Sequence, residues 1–236
     1  MSAIGNVAAW VVDYTCATYW QARELVFRTD PTPYRSGSDG MPAVLLLPGI
    51  YETWQFMRPL AQQIHDLGHP VHVVTKLGSN RRSVVASAAL VDAYLRQHDL
   101  TDVIIVAHSK GGLIGKYLMT DVTSKHRVDR MIAIATPFGG SAYARYVPFP
   151  ALRAFSPADA TTLMLTGHLD VNARITSVFG TFDPHIPGGS ALDGAHNIRL
   201  PVAGHFRILA SPELKAAVAE FLRGAVSERA RRDPPS

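Results

Sequence analysis

The sequence has a single cysteine, Cys16, among its 236 residues, so no disulfide can form within the chain. No CxxC or Cys/His pattern indicates a structural zinc site. This low cysteine content favours a reducing compartment, and we expect a cytoplasmic location. The chain also lacks the run of about 20 uncharged apolar residues that a membrane-spanning helix requires.

The apolar segment 3–20 has no basic region before it, carries Asp13, and shows no small-residue cleavage site, so it does not resemble a signal peptide. We expect an amphipathic helix that packs on the body of the protein or docks on another surface. Together with the turn-rich stretch 30–42, it defines an N-terminal helix and linker over residues 1–40.

Charged residues make up 18% of the chain and hydrophobic residues 47%, which is typical of a folded domain rather than a disordered one. The net charge is +4, and part of the excess lies near the end of the chain, at Arg223, Arg229, Arg231 and Arg232. These arginines indicate either an anionic partner or a solvated helix end that continues into a disordered basic tail over 226–236. No aromatic residues alternate with the charges, so we expect no nucleic-acid partner.

Strand and helix patterns alternate between residues 41 and 225, which predicts one α/β domain with a mostly parallel sheet and helices on both faces. Six apolar runs are the predicted strands: 43–47, 71–74, 103–106, 131–135, 175–179 and 198–200. Four segments with helical spacing are the predicted helices: 54–67, 84–95, 113–119 and 212–222. The longer insertion 139–172 is expected to carry its own helices, either as a lid or as ordinary packing.

Ser109 is the strongest candidate for a reactive side chain. It lies in the segment Val-Ala-His-Ser-Lys-Gly-Gly (106–112), between a predicted strand and a helix. A serine held out on such a sharp turn requires small residues two positions before and after it, and these are Ala107 and Gly111. The pattern predicts a nucleophile, whereas the alternative is a buried structural serine.

A serine nucleophile needs a base, and His205 lies between the last predicted strand and the final helix. The alternative is a surface histidine. His196 would lie at the opposite edge of the sheet, and the side chain of His108 should point away from its neighbour Ser109.

Asp183 lies in the segment 179–187, which follows the fifth predicted strand, and is the candidate that orients the base. An Asx-turn before Pro184 would be a purely structural role for it. Asp170 and Asp193 are weaker candidates, since neither lies at a strand end. The order Ser, Asp, His along the chain is that of one of the three common triads.

A developing oxyanion needs two backbone N–H donors. Lys110, directly after the serine, should supply one of them. Ile50, in the Pro-Gly-Ile-Tyr loop after the first strand, should supply the other, with Tyr51 as the alternative. This loop could equally be an ordinary turn.

With these segments the chain resembles the α/β-hydrolase family, nearest its bacterial lipase and esterase branch. The segments that carry the resemblance are 47–50, 107–112, 135–141, 180–183 and 204–205. The resemblance implies a triad of Ser109, Asp183 and His205, with the amides of Ile50 and Lys110 as the oxyanion hole. It also implies an α/β-hydrolase fold with a lid-like insertion.

Two features depart from the family pattern. Pro48 precedes Gly49 where family members usually have His-Gly, and Lys110 follows the nucleophile where the residue is usually neutral. A cation at a helix N-terminus opposes the helix dipole. We therefore expect a Lys110–Glu52 ion pair beside the site.

Together these features predict a serine hydrolase that cleaves a small-molecule carboxylic ester. The apolar insertion suggests that the substrate has an apolar acyl or alcohol part. The chemistry requires no metal or cofactor. The alternatives are a thioesterase, an amidase, a lactonase, an acyltransferase, or a non-catalytic binding protein of the same fold. The sequence carries no indication of oligomeric state.

Overall fold

A computed structural model describes Asp13, Thr15, Thr18, residues 29–141, Ala144 and residues 155–232 of the chain. Its centre is a six-stranded sheet with the spatial order β2-β1-β3-β4-β5-β6, in which every neighbouring pair is parallel. The strands are β1 Val44–Leu47, β2 Val71–Val73, β3 Val103–His108, β4 Val128–Ile134, β5 Ile175–Phe182 and β6 His196–Ala203.

Both faces of the sheet are covered, because parallel strands joined by helical crossovers bury both sets of their side chains. On β1, Leu45 and Leu47 point into one core and Val44 and Leu46 into the other, and all four are fully buried. The helices are α1 Arg58–Asp66, α2 Val84–Gln97, α3 Lys110–Thr120, α4 Ala160–Gly167 and α5 Pro212–Arg232. Helices α2, α3 and α4 contribute to the first core, and α1 and α5 to the second.

The strand order reverses between β1 and β3, which are neighbours in the sheet although β2 lies between them in the chain. In open parallel sheets, functional sites lie beyond the carboxyl ends of the strands near such a reversal. Strands β1, β3, β5 and β6 each end close to a residue singled out from the sequence. The fold therefore brings these residues to one edge of the sheet.

Several predicted boundaries differ from the structure near the site. Strands β3 and β5 continue to His108 and Phe182, beyond the predicted ends at residues 106 and 179. Strand β6 spans His196–Ala203 and is longer than the predicted 198–200, because it pairs along much of β5. Helix α3 begins at Lys110, directly after the serine, rather than at residue 113. The two glycines that interrupt the apolar pattern lie inside the first turn of this helix.

The expectation of a disordered tail from residue 226 was wrong for most of that segment, since α5 continues to Arg232. Two ion pairs hold its last turns to β4. Arg130 contacts Glu228 at 2.8 Å, and Arg232 contacts Asp129 at 3.1 Å. Of the arginines in this region, Arg232 is therefore paired within the fold. Residues 233–236 lie outside the described residues.

Two predicted segments fall largely outside the described residues. Of the N-terminal helix expected over 3–20, only Asp13, Thr15 and Thr18 are described. Of the insertion 139–172, the described part contains α4. A lid function for the insertion stays a prediction. No helix within the described residues has the length and hydrophobicity needed to cross a bilayer.

Candidate active site

Ser109 occupies the turn between β3 and α3 in a strained backbone conformation, with φ 50° and ψ −119°. A non-glycine residue in such a region costs about 1–3 kcal/mol and persists only where its surroundings hold it. Here the amide of Ser109 donates to the carbonyl of Ile134 at 2.8 Å. The Oγ1 hydroxyl of Thr136 donates to the carbonyl of Ser109 at 3.1 Å. Hydrogen bonds from the backbone of β4 and from a side chain of the loop after it thus fix the turn.

The small residues around Ser109 are required by close packing. A Cβ added to Gly111 would lie 2.0 Å from the carbonyl oxygen of Leu47 in β1. A Cβ on Gly112 would lie 2.1 Å from Oγ1 of Thr136. Ala107 is fully buried. The helix can begin this close to the sheet only because both positions lack a side chain.

Ser109, His205 and Asp183 form one connected hydrogen-bonded chain. Oγ of Ser109 lies 3.0 Å from Nε2 of His205, and Nδ1 of His205 lies 2.7 Å from Oδ2 of Asp183. Ser109 is 7% exposed and His205 is 5% exposed. The structure therefore brings together three side chains that are 96 and 22 residues apart in the chain.

Asp183 combines the two roles that its sequence context suggested. One carboxylate oxygen accepts from the ring of His205, while the other accepts from the amides of His185 at 2.8 Å and Ile186 at 3.2 Å. The second set of bonds is an Asx-type turn that orients the carboxylate. The Asx-turn is the means by which Asp183 is aimed at His205.

The electrostatics of the site favour a charged imidazole at His205. Burial alone would lower its pKa, but the charge and hydrogen bond of Asp183, with smaller contributions from Glu52 and Asp13, raise the pKa above its ordinary value. For Asp183, burial opposes ionisation, yet the adjacent His205 and the hydrogen bonds it accepts lower its pKa. Burial and the neighbouring His205 lower the pKa of His185 to about 4, so the ring of His185 is neutral at pH 7.

The weaker candidates lie away from this constellation. His196 is exposed at the first residue of β6, at the edge of the sheet opposite His205. Asp170 and Asp193 are both exposed. Within the described residues, no group of three or more His, Cys, Asp or Glu side chains is arranged to hold a metal ion.

Two segments beside Ser109 carry the amides predicted for the oxyanion hole. Lys110 is the first residue of α3, and an amide at this position has no acceptor within its helix. In the loop after β1, the amide of Gly49 donates to Glu52 at 2.7 Å and is already used. Tyr51, next to Ile50, has a positive φ of 61°.

The expected Lys110–Glu52 ion pair is wrong. Nζ of Lys110 instead donates to three oxygens, the carbonyl and Oδ1 of Asn80 at 2.7 and 3.2 Å and the carbonyl of Arg82. The side chain runs toward the loop after β2, where carbonyl oxygens replace a carboxylate as its partners. Burial, with the nearby charge of Arg82, lowers the pKa of Lys110 to about 8.

Glu52 pairs with His108 rather than with Lys110. Its carboxylate lies 2.9 Å from Nδ1 of His108, and Nε2 of His108 lies 3.1 Å from the carbonyl oxygen of His205. Both ring nitrogens of His108 thus face oxygen atoms. The side chain of His108 reaches the backbone of His205, a contact that sequence reasoning did not predict.

Asn80 connects the two segments that carry the predicted oxyanion donors. Its Nδ2 donates to the carbonyl of Pro48 at 2.7 Å, while its oxygens accept from Lys110. Sequence reasoning missed Asn80, the role of His108, and a contact of Asp13 with the His205 loop. The one signal for any of them was Asp13, a lone charge in an otherwise apolar segment.

The parallel sheet and the strained turn at Ser109 define a class of α/β protein that holds a serine on a sharp strand-to-helix turn. No protein-family model matches the sequence, and no curated protein sequence matches it. Solved structures do match. Bacillus licheniformis lipase BlEst2 in its mature form superposes with a TM-score of 0.64 at 17% identity, over 79% of this chain and 94% of that one. The putative non-heme bromoperoxidase BpoC from Mycobacterium tuberculosis H37Rv gives a TM-score of 0.62 at 14% identity, over 80% and 94%.

A third similar structure comes from a study of carboxylesterases of Nitrososphaera gargenis, with a TM-score of 0.56 at 14% identity over 82% of this chain and 93% of that one. The chain has the α/β-hydrolase fold, as the sequence predicted. At these identities the likeness concerns the fold, and the chemistry has to be argued from the site.

Proposed function

We propose that this chain is a serine hydrolase that cleaves carboxylic esters through an acyl-enzyme. The observation that supports this most strongly is the unbroken chain of short contacts from Ser109 through His205 to Asp183. A scaffold protein has no need of a strained serine aligned with a buried imidazole and carboxylate.

In the first half of the proposed reaction, Oγ of Ser109 attacks the acyl carbon of the ester while Nε2 of His205 takes the hydroxyl proton. Asp183 holds Nδ1–H of His205 and so stabilises the imidazolium that forms. When the tetrahedral intermediate collapses, the bond to the leaving oxygen breaks and the proton on Nε2 passes to it. The products are an alcohol and an ester between the acyl group and Ser109.

In the second half, His205 takes a proton from a water molecule that attacks the acyl-enzyme. The intermediate collapses with return of that proton to Oγ of Ser109, which releases the carboxylic acid. The raised pKa of His205 suits both transfers, because the ring must hold a proton transiently and then return it.

We place the oxyanion at the amides of Lys110 and Ile50. One donor of this kind contributes about 2.7–4 kcal/mol to transition-state stabilisation. The amide of Lys110 lies at a helix start beside Ser109, and Asn80 connects the Pro48 loop to the side chain of Lys110. Tyr51 stays the alternative to Ile50.

An apolar acyl or alcohol part of the substrate stays a proposal that depends on the insertion 139–172. The similar structures include proteins described as a lipase and as an enol-lactonase, so lactones join thioesters and amides as alternative substrates. A panel of short-chain ester, thioester, lactone and amide substrates would separate them. A cytoplasmic location likewise stays a proposal, supported by the single cysteine.

The deciding experiment is labelling with a fluorophosphonate probe, which reacts with activated serines. We expect rapid labelling of the wild-type chain and none of Ser109→Ala. Ser227→Ala, on the surface of α5, is the matched control and should be labelled as the wild type is. A folded wild-type protein that resists the probe would instead favour a non-catalytic binding protein.

A further inference from the structure

The carboxylate of Asp13 is fully buried although it belongs to the N-terminal segment, ahead of the first strand. Its Oδ2 accepts from the amide of His205 at 2.9 Å. Its Oδ1 accepts from the amides of Phe206 and Arg207 at 2.8 and 2.9 Å. Three consecutive N–H groups of the loop that carries the proposed base therefore converge on one side chain about 190 residues away.

Burying a carboxylate is costly unless hydrogen bonds compensate for the lost water. Nε2 of His185 lies 3.9 Å from Oδ2 of Asp13, but this ring is neutral at pH 7 and supplies no opposite charge. The three backbone amides are thus the main partners of this charge. A charged acceptor of this kind makes hydrogen bonds about twice as strong as a neutral one.

Gly204 explains how the carboxylate comes so close to the loop. It has a φ of 117°, and a Cβ at this position would lie 2.5 Å from Oδ1 of Asp13. The Gly204-His205 pair, one of the segments that carry the family resemblance, therefore leaves room for Asp13. Its glycine serves the contact with the N-terminal segment.

The backbone carbonyl of His205 is also held. Nε2 of His108 contacts the carbonyl oxygen of His205 at 3.1 Å, and Glu52 holds the opposite nitrogen of that ring. The N–H of His205 is bound by Asp13 and its C=O by His108. The backbone of the proposed base is thus restrained from two directions before its side chain meets Ser109 or Asp183.

We propose that Asp13 is a positioning residue for His205, whose buried carboxylate fixes the backbone from which the imidazole reaches Ser109. This inference rests on the proposed function. The contacts of the ring, 3.0 Å to Ser109 and 2.7 Å to Asp183, leave little room for movement of the loop. Asp13 meets only backbone amides of the loop, so its effect on the reaction passes through His205.

The test uses the full chain with Asp13→Ala and Asp13→Asn. Alanine removes all the acceptors. Asparagine keeps one oxygen but turns an NH₂ group toward one of the amides, so it should give an intermediate effect. Asp121→Ala is the matched control, because Asp121 also accepts a backbone amide, that of Thr123, but lies at the far end of α3.

Two quantities are measured on protein shown to be folded by circular dichroism: the rate of fluorophosphonate labelling of Ser109, and kcat and KM for a short-chain ester. We expect Asp13→Ala to lower the labelling rate and kcat by about 30- to 100-fold with KM changed less than twofold, as displacement of a catalytic group does. Asp13→Asn should fall between that variant and the wild type. Asp121→Ala should label at the wild-type rate.

Labelling of both Asp13 variants at the wild-type rate would overturn the positioning role while leaving the proposed function intact. A fall that Asp121→Ala shares equally would also overturn it, since the effect would then be general destabilisation. If the folded wild-type chain itself resists the probe, the proposed function and this inference fail together. If Asp13→Ala does not fold, Asp13→Asn is compared with the wild type instead. A lower kcat with a nearly unchanged KM supports the positioning role, and an unchanged kcat overturns it.

Discussion

Replacement of Gly111 by alanine tests whether close packing of α3 on β1 holds the reactive serine in place. The added Cβ would lie 2.0 Å from the carbonyl oxygen, 2.7 Å from the carbonyl carbon and 3.0 Å from the Cβ of Leu47. The shortest of these distances is about 1.4 Å below ordinary van der Waals contact. Leu47 is fully buried in a central strand, so the start of the helix has to move instead.

The expected cost combines two opposing effects. Overpacking of this kind destabilises by about 1–3 kcal/mol, and a rigid strand backbone places this case at the upper end. Replacing glycine restricts the unfolded chain, which returns about 0.4–1 kcal/mol. We therefore expect a net loss of about 2 kcal/mol in the free energy of unfolding. A shift of about 1 Å at Ser109 should also lower kcat by about 100-fold.

The assay is urea denaturation together with the rate of fluorophosphonate labelling. Gly224→Ala is the matched control, since Gly224 lies inside α5 and an added Cβ there would meet no atom within 4 Å. That variant should be stabilised by about 0.5–1 kcal/mol and labelled normally. If Gly111→Ala matches Gly224→Ala in both stability and labelling, the argument from packing at the elbow is refuted.

Three further predictions follow from charges and hydrogen bonds. Because the proposed base must be neutral to accept a proton and the pKa of His205 is raised, kcat/KM for an ester should decline toward acid with a midpoint above pH 6.5; a midpoint below 6.5 contradicts this. Burial lowers the pKa of Lys116 from 10.5 to about 8. The charged lysine therefore destabilises the folded state by its full amount below pH 8, and this destabilisation disappears as the pH rises to 10.5. Lys116→Met should therefore raise the free energy of unfolding at pH 7 by on the order of 2–3 kcal/mol, and urea denaturation at pH 7 and 10.5 should show the gain only at the lower pH. Asn80→Ala removes the hydrogen-bond partner of the buried carbonyl of Pro48 and one of the acceptors of Lys110, at a cost of about 1–3 kcal/mol each. The variant should also label more slowly at Ser109. Labelling at the wild-type rate would exclude a role for Asn80 in aligning the site.

The strands and the principal site residues could be predicted because local patterns encode them. Apolar runs such as that of β1 are buried on both faces in any parallel sheet, so the run itself identifies the strand. The small residues around Ser109, and the positions of Asp183 and His205 after their strands, follow from the same local logic. The end of α5 could not be located in this way, because Arg130 and Asp129 of β4 hold its last turn.

The partners of the buried charges were beyond sequence reasoning. The sequence suggested a pair between Lys110 and Glu52, yet Lys110 contacts Asn80 and Arg82 while Glu52 contacts His108. The direction each side chain takes depends on which loops the strand order β2-β1-β3 places beside it. Neither composition nor the spacing of residues along the chain predicts which loops lie side by side.

By itself the sequence determined the α/β architecture and singled out Ser109, His205 and Asp183, whose side chains meet in the fold. Hydrophobic periodicity and strand-end positions are properties of short segments, so both can be read locally. Only the tertiary structure decided that Asp13 binds backbone amides in the loop of His205 and that His108 contacts the carbonyl oxygen of His205. Contacts of this kind join residues separated by about 100 to 190 positions. Their existence depends on how the loops close over the sheet, which is set by the whole fold.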